Sequence, residues 1–225
     1  MWKVVLMSMI LIWMKWIIWN NVRELGDIMK KIFAIALFLL GIVFNADAAI
    51  DKNKAQSMVE ELTQKGIEEI VNSTSSEQEK IDVFRRLFTQ NLDLDFIAKY
   101  VLGRYWRSAT PAQQKEFIEL YKEFNVKTWS KRFDEFKGKK FIFDGVLPAN
   151  NPNQVFVNTL VPMDGASPIS VKWRVYDRKG ELKIIDIVIE NVSLAQTARN
   201  EYSSFIAKSP NGVEGLLDNL RLKSK

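Results

Sequence analysis

The stretch that decides the fold is residues 169–192, ISVKWRVYDRKGELKIIDIVIENV. Apolar side chains occupy every second position from Ile169 to Val175, and polar or amphipathic side chains lie between them. Alternation with a period of two predicts a half-buried β-strand. The turn sequence DRKG follows at 177–180, and residues 182–192 then form a second apolar run. The stretch therefore predicts two antiparallel strands joined by a tight hairpin.

Two further strands are predicted upstream of this hairpin. Alternating apolar residues occur at 141–147 and at 155–161, and they are separated by the turn sequence NNPN at 150–153. A second turn, Asp164-Gly165, leads into the hairpin. Connections this short allow only antiparallel neighbours, so we predict a four-stranded meander.

Helical patterns lie on both sides of the strands. Residues 52–72 carry spaced apolar positions, and Ser76 with Glu79 forms a capping box for the next helix. Thr110, Pro111 and Gln113 predict another helix start. Further helices are predicted after the last strand, up to Leu220. The predicted fold class is α+β, with N-terminal helices, a four-stranded antiparallel meander sheet, and C-terminal helices packing on one sheet face around an apolar cavity.

The N-terminal part has the pattern of a secretory leader. A basic start at 29–31 precedes a 13-residue apolar run at 32–44 and the small residues of Ala46-Asp47-Ala48. This predicts a signal peptide at 29–48 and one domain at 49–225, and it predicts a periplasmic location because a cleaved leader implies export. We interpret residues 1–28 as a mis-called upstream extension, the alternative being a membrane anchor at 4–19. N-terminal sequencing of the native protein tests this interpretation, because a mature start before residue 29 would contradict it.

Composition excludes several classes of function. Residues 1–48 hold five of the 32 basic and three of the 27 acidic side chains, which leaves a net charge of +3 for the rest. This balance argues against a nucleic-acid partner. The chain has no Cys and no His, which removes thiol and Ser-His-Asp catalysis and nearly all zinc and haem sites. We expect neither a metal nor a cofactor.

One carboxylate could serve catalysis. Asp186 lies in the middle of the last apolar run, where a carboxylate must be paired or must have a raised pKa. We favour a structural ion pair with Arg174 or Arg104. The alternative is a general base in a small enzyme of the cone-shaped α+β isomerase type.

The apolar content indicates a ligand. The last strand is apolar on both faces, although a sheet covered on one side needs only one apolar face. The segment LGRYWR at 102–107 mixes bulky aromatic side chains with two arginines beside a predicted helix end. An apolar lining with basic residues at its rim suits an amphiphile that has an anionic head group.

Two sequence blocks resemble the MlaC family, also called the toluene-tolerance family. The resemblance covers residues 50–222 and rests on FIAKYVLGRYWR at 96–107 followed by Thr110-Pro111 and Phe117, and on DIVIENVSL at 186–194 followed by Arg199, Phe205 and a closing helix. Two departures occur, since Asn191 replaces a glycine and a tryptophan is missing near Leu182. The resemblance implies a periplasmic phospholipid carrier between the outer and inner membranes, without catalysis. It implies an outer-membrane lipoprotein complex and an inner-membrane lipid ABC transporter complex as partners.

We predict the lipid-binding residues from periodicity, as the apolar positions between the sheet and the helices. They are Leu102, Tyr105, Phe117, Tyr121, Phe124, Val171, Trp173, Val175, Ile187 and Ile189. Arg104 and Arg107 are the predicted contacts for the head-group phosphate. A periplasmic adaptor or chaperone, whose apolar excess would meet protein, remains the other alternative to a carrier.

Overall fold

The computed structural model describes residues 50–224, in which helices precede and follow an antiparallel sheet. This arrangement confirms the predicted α+β class. The upstream extension predicted at 1–28 and the signal peptide predicted at 29–48 lie outside the described residues.

The sheet is the predicted meander. Its strands run in the spatial order β1-β2-β3-β4-β5, and every neighbouring pair is antiparallel. The strands are β1 Ile142–Pro148, β2 Gln154–Met163, β3 Ala166–Arg178, β4 Glu181–Ile189 and β5 Val192–Ser193.

The prediction of four strands was wrong by one short strand. The last run was expected to continue to Val192, but β4 ends at Ile189 and the chain reverses to form β5. Glu190 and Asn191 make this turn with positive φ angles of 49° and 65°. Two consecutive residues in the left-handed region give a tight hairpin, and asparagine tolerates that region well. Asn191 therefore makes this turn at a position where glycine would also be accommodated.

Six α-helices surround the sheet in the described part of the chain. They are α1 Lys52–Gly66, α2 Glu77–Asn91, α3 Leu94–Leu102, α4 Pro111–Ser130, α5 Leu194–Lys208 and α6 Gly212–Ser224. A π-helical turn, Ile67–Val71, extends α1, and short 3₁₀ turns at Gly103–Trp106 and Phe133–Phe136 follow α3 and α4. The capping boxes predicted for α2 and α4 are both confirmed.

Apolar side chains are buried in two separate clusters. The sheet core joins α1 to β2, β3 and β4, and it consists of Ile50, Ala55, Val59, Val155, Val157, Val175 and Ile184. The helical core lies among α3, α4, α5 and α6 and includes Leu102, Phe117, Tyr121 and Leu217. Helix α6 is also tied to α4 by Arg221, which donates hydrogen bonds of 2.7 and 2.8 Å to the two carboxylate oxygens of Glu116.

Candidate functional site: an apolar cavity

The floor of the site is formed by β3 and β4. Val171 pairs with Ile189 and Trp173 pairs with Ile187 across the two strands, so the four side chains lie together on one sheet face. All four line a cavity between the sheet and the helices. These are four of the ten side chains predicted from the alternation of the strands.

The roof comes from the helices before the sheet and from the segment that connects α4 to β1. Leu87 and Phe88 of α2 and Ile70 of the π-helical turn are buried at its inner end. The other roof residues, most of them half-buried, are Leu62, Thr63, Gly66, Ile67, Val71, Phe84, Leu92, Trp129, Phe133, Phe136, Phe141 and Leu194.

Aromatic rings connect the roof to the floor. The ring of Phe84 packs edge-on against Phe133, with centroids 5.4 Å apart, and Phe136 stacks on Phe141 at 6.1 Å. Phe141 in turn meets the indole of Trp173 edge-on at 6.0 Å. Offset and edge-on contacts of this kind stabilise the cavity wall beyond the burial of area.

None of the described side chains that line the cavity is charged. The polar groups of Thr63 and Trp173 make hydrogen bonds to residues outside the lining. The Thr63 hydroxyl donates a hydrogen bond of 2.8 Å to the Val59 carbonyl. The Trp173 indole N–H donates to the Thr159 hydroxyl at 3.0 Å, which itself donates to the Val171 carbonyl at 3.1 Å. A site with this lining is suited to hydrocarbon, because a polar group placed there would lose its hydration without gaining a partner.

The cavity has a volume of about 210 Å³. At the roughly 30 Å³ that one water molecule occupies in the liquid, that is room for about seven waters. A methylene group is about as large as a water molecule, so the same space holds about seven carbons, which is part of one acyl chain.

Six of the ten predicted lipid-binding residues do not line this cavity. Leu102, Phe117 and Tyr121 are in the helical core, and Tyr105 and Phe124 pack against it. The sixth, Val175, is fully buried in the sheet core under α1. Periodicity identified these positions as inward-facing, which is correct, but it does not distinguish a filled core from an open cavity.

The buried phenol of Tyr121 illustrates the closed character of the helical core. Its ring packs on Phe117 and Tyr202, with centroids 5.8 and 6.5 Å away. Burial, and to a smaller extent the nearby carboxylate of Asp186, raises the pKa of Tyr121 to about 12. The hydroxyl therefore stays neutral at physiological pH.

The two arginines predicted to bind phosphate are both exposed and do not line the cavity. The guanidinium of Arg104 lies over the ring of Tyr105, 4.8 Å from its centroid, and donates a hydrogen bond of 2.7 Å to its hydroxyl. Arg107 follows the 3₁₀ turn after α3. A role for either in head-group binding stays a prediction.

The ion pair predicted for Asp186 was wrong. Among residues 50–224 its carboxylate makes no ion pair, although Arg174 lies directly opposite in the sheet. Its two oxygens instead accept hydrogen bonds from the Ser193 hydroxyl at 2.6 Å and from the Ala195 N–H at 3.1 Å. Asp186 thus accepts hydrogen bonds from two groups at the start of α5, where a negative charge also interacts favourably with the helix dipole. Arg174 donates to the side chain of Gln154 at 3.0 Å.

Most of the roof was missed by the sequence analysis. Phe84, Leu87 and Phe88 have the spacing of an apolar helical stripe, and all three belong to the cavity. The signal that could have located the rest is the pair Phe133 and Phe136, two large aromatic side chains in a short, strongly charged connection. Such residues need an apolar surface close by.

No helix within 50–224 is long and apolar enough to cross a membrane. Nor do these residues bring together three or more Asp or Glu side chains in an arrangement that could hold a metal ion.

Comparison with known proteins places the chain among lipid-binding relatives. Residues 53–222 match the MlaC protein family. The intermembrane phospholipid transport system binding protein MlaC of Haemophilus influenzae is 22% identical over 201 residues, which cover 86% of this chain and 92% of that protein. A phospholipid-binding protein from Ralstonia solanacearum, solved in complex with a phospholipid, has the same fold, with a TM-score of 0.67 and 22% identity over 76% of this chain and 96% of its own.

Proposed function

The chain belongs to the MlaC family, and from this premise we propose that it carries glycerophospholipids between the outer and inner membranes and holds their acyl chains in the apolar cavity. The proposed location is the periplasm, reached through the cleaved leader at 29–48. An outer-membrane lipoprotein complex and an inner-membrane lipid ABC transporter complex are the proposed donor and acceptor. No enzymatic step is part of the proposal.

The observation that carries this proposal is the uncharged, aromatic-walled cavity on the β3–β4 floor. A two-chain lipid has roughly 30 methylenes, and exposing them to water costs about 0.8 kcal/mol each, or more than 20 kcal/mol in total. A carrier must therefore enclose the chains, whereas the head group can remain in water. A lining without charged groups suits the enclosed acyl chains, and the head group then stays outside it.

The cavity must widen to enclose both chains of a lipid, since its present volume of about 210 Å³ corresponds to about seven methylenes. Helix α1 is fixed at its first half, where Ala55 and Val59 are fully buried in the sheet core. Its other end, the π-helical turn Ile67–Val71, lies on the cavity and is followed by the loop at 72–76. We therefore expect the widening to begin at the π-helical turn.

Native mass spectrometry of the protein, purified from bacterial periplasm under mild conditions, tests the proposed function. We expect a complex with intact glycerophospholipid in a one-to-one ratio. Repeated preparations without lipid, together with failure to extract lipid from vesicles, would contradict the proposal and favour an adaptor that binds protein. Recovery of cleaved lipid would instead favour an enzyme.

A further inference from the structure

The last turn of α4 and its connection to β1 concentrate the positive charge of the protein. Residues 127–140, which we call the basic segment, carry a net charge of +4 from six basic and two acidic side chains. Since residues 49–225 together carry +3, everything else in that region sums to −1. The basic residues are Lys127, Lys131, Arg132, Lys137, Lys139 and Lys140.

The same segment supplies part of the cavity wall. Trp129, Phe133 and Phe136 are half-buried and line the cavity, whereas Lys131 and Lys137 between and beside them are exposed. The segment is thus amphipathic, with its aromatic rings toward the cavity and its charges toward solvent. The positive charge therefore lies on the solvent side of this part of the cavity wall, which we call the rim.

Most of this charge is not neutralised by the rest of the protein. Within residues 50–224, Lys139 is the one basic residue of the segment that pairs outside it, with Asp164 at 3.2 Å. Arg132 pairs weakly inside the segment with Glu135, at 3.9 Å, and lies 5.5 Å from the ring centroid of Trp129. The adjoining π-helical turn differs, because its Glu69 is paired with Arg86 of α2 at 2.7 Å.

We infer that the basic segment docks the protein on anionic phospholipid head groups at a bilayer surface, with the cavity rim toward the membrane. The inference rests on the proposed function and adds to it a direct contact with the leaflet. Basic side chains interleaved with tryptophan and phenylalanine suit the interface between head groups and acyl chains. An acidic protein surface would satisfy the charges, but it would leave the adjoining apolar rim without a matching partner.

Vesicle flotation with the mature protein tests the docking. The test variant is K131Q/K137Q/K140Q, which removes three exposed charges of the segment. The control variant is K52Q/K54Q/K208Q, which removes three exposed charges elsewhere. A basic residue near an anionic membrane strengthens binding about fivefold, so the test variant should bind phosphatidylglycerol-containing vesicles on the order of 100-fold more weakly than the unmodified protein. The control should bind like the unmodified protein, and added salt should weaken both.

Four results would overturn the inference. The unmodified protein could fail to bind vesicles that contain phosphatidylglycerol, or bind pure phosphatidylcholine vesicles equally well. Equal losses in the two variants would show dependence on net charge alone. Binding to soluble poly-glutamate but not to vesicles, abolished only in the test variant, would assign the segment to an acidic protein. Native mass spectrometry of the same variants separates this outcome from failure of the carrier proposal, because lipid content should stay unchanged in both.

Discussion

Replacing Val171 by tryptophan tests whether the cavity is the site for acyl chains. Val171 lies on the floor beside Ile189 and is only 7% exposed to solvent. Tryptophan adds about seven heavy atoms, the volume of about seven waters, which is about all of the room in the cavity. We expect the variant to fold, because the added ring enters existing space and tryptophan is well tolerated in strands.

The expected loss of affinity follows from the same volume. Excluding about seven methylenes from the cavity at about 0.8 kcal/mol each removes up to about 5 kcal/mol of binding free energy. This corresponds to a decrease of as much as three to four orders of magnitude in affinity, and to less if the roof moves outward. The measurement is the lipid-bound fraction in native mass spectrometry, together with the rate of lipid uptake from vesicles.

Val188→Trp is the matched control for this prediction. Val188 is the neighbour of Ile187 and Ile189 on β4 and is half-buried on the opposite sheet face, because side chains alternate along a strand. The Val188→Trp variant should load lipid normally. Equal loading of the two tryptophan variants, with thermal unfolding midpoints that show both to be folded, would refute the assignment of the chains to this cavity.

Three further predictions concern stability and motion. Asp186→Ala should lower the free energy of unfolding in urea by about 1–3 kcal/mol, because it leaves the buried N–H of Ala195 without an acceptor. Lipid loading should persist in this variant. An unchanged midpoint of urea unfolding would contradict this role of Asp186. Hydrogen bonding from Arg221 holds the pKa of Glu116 below its ordinary value of 4.5. This pair therefore stabilises the protein above pH 4.5, and the stabilisation is lost as the pH falls through the lowered pKa of Glu116. Arg221→Gln should consequently make the melting temperature depend less on pH below 4.5. Spin labels at Glu68 and Lys172 should move apart on lipid loading, whereas a label in the first turn of α1 should keep its distance from the sheet; no change at Glu68 would contradict widening at the π-helical turn.

The sequence predicted the sheet well because its signals are local. The alternation from Ile169 to Val175 and the turn at 177–180 specify strand, face and hairpin within a few residues. The reversal at Glu190 and Asn191 was missed, since an asparagine after a glutamate is a weak turn signal inside an apolar run. Helix starts were equally accessible, because a capping box places its donors and acceptors within four residues.

The division of apolar side chains between a core and a cavity is not local, and here the sequence was insufficient. Phe117 and Tyr121 have the helical spacing of inward-facing residues whether they meet a lipid or other side chains. In the structure α3 to α6 bury such residues against one another, so these helices close a core of their own and contribute just Trp129 of α4 and Leu194 of α5 to the cavity wall. The floor is covered instead by α2, the end of α1 and the aromatic residues of the basic segment. These residues do not fill the space over Val171 and Trp173. The helical core is closed and the cavity is open for the same reason, because α3 to α6 pack mainly against one another and not on the floor.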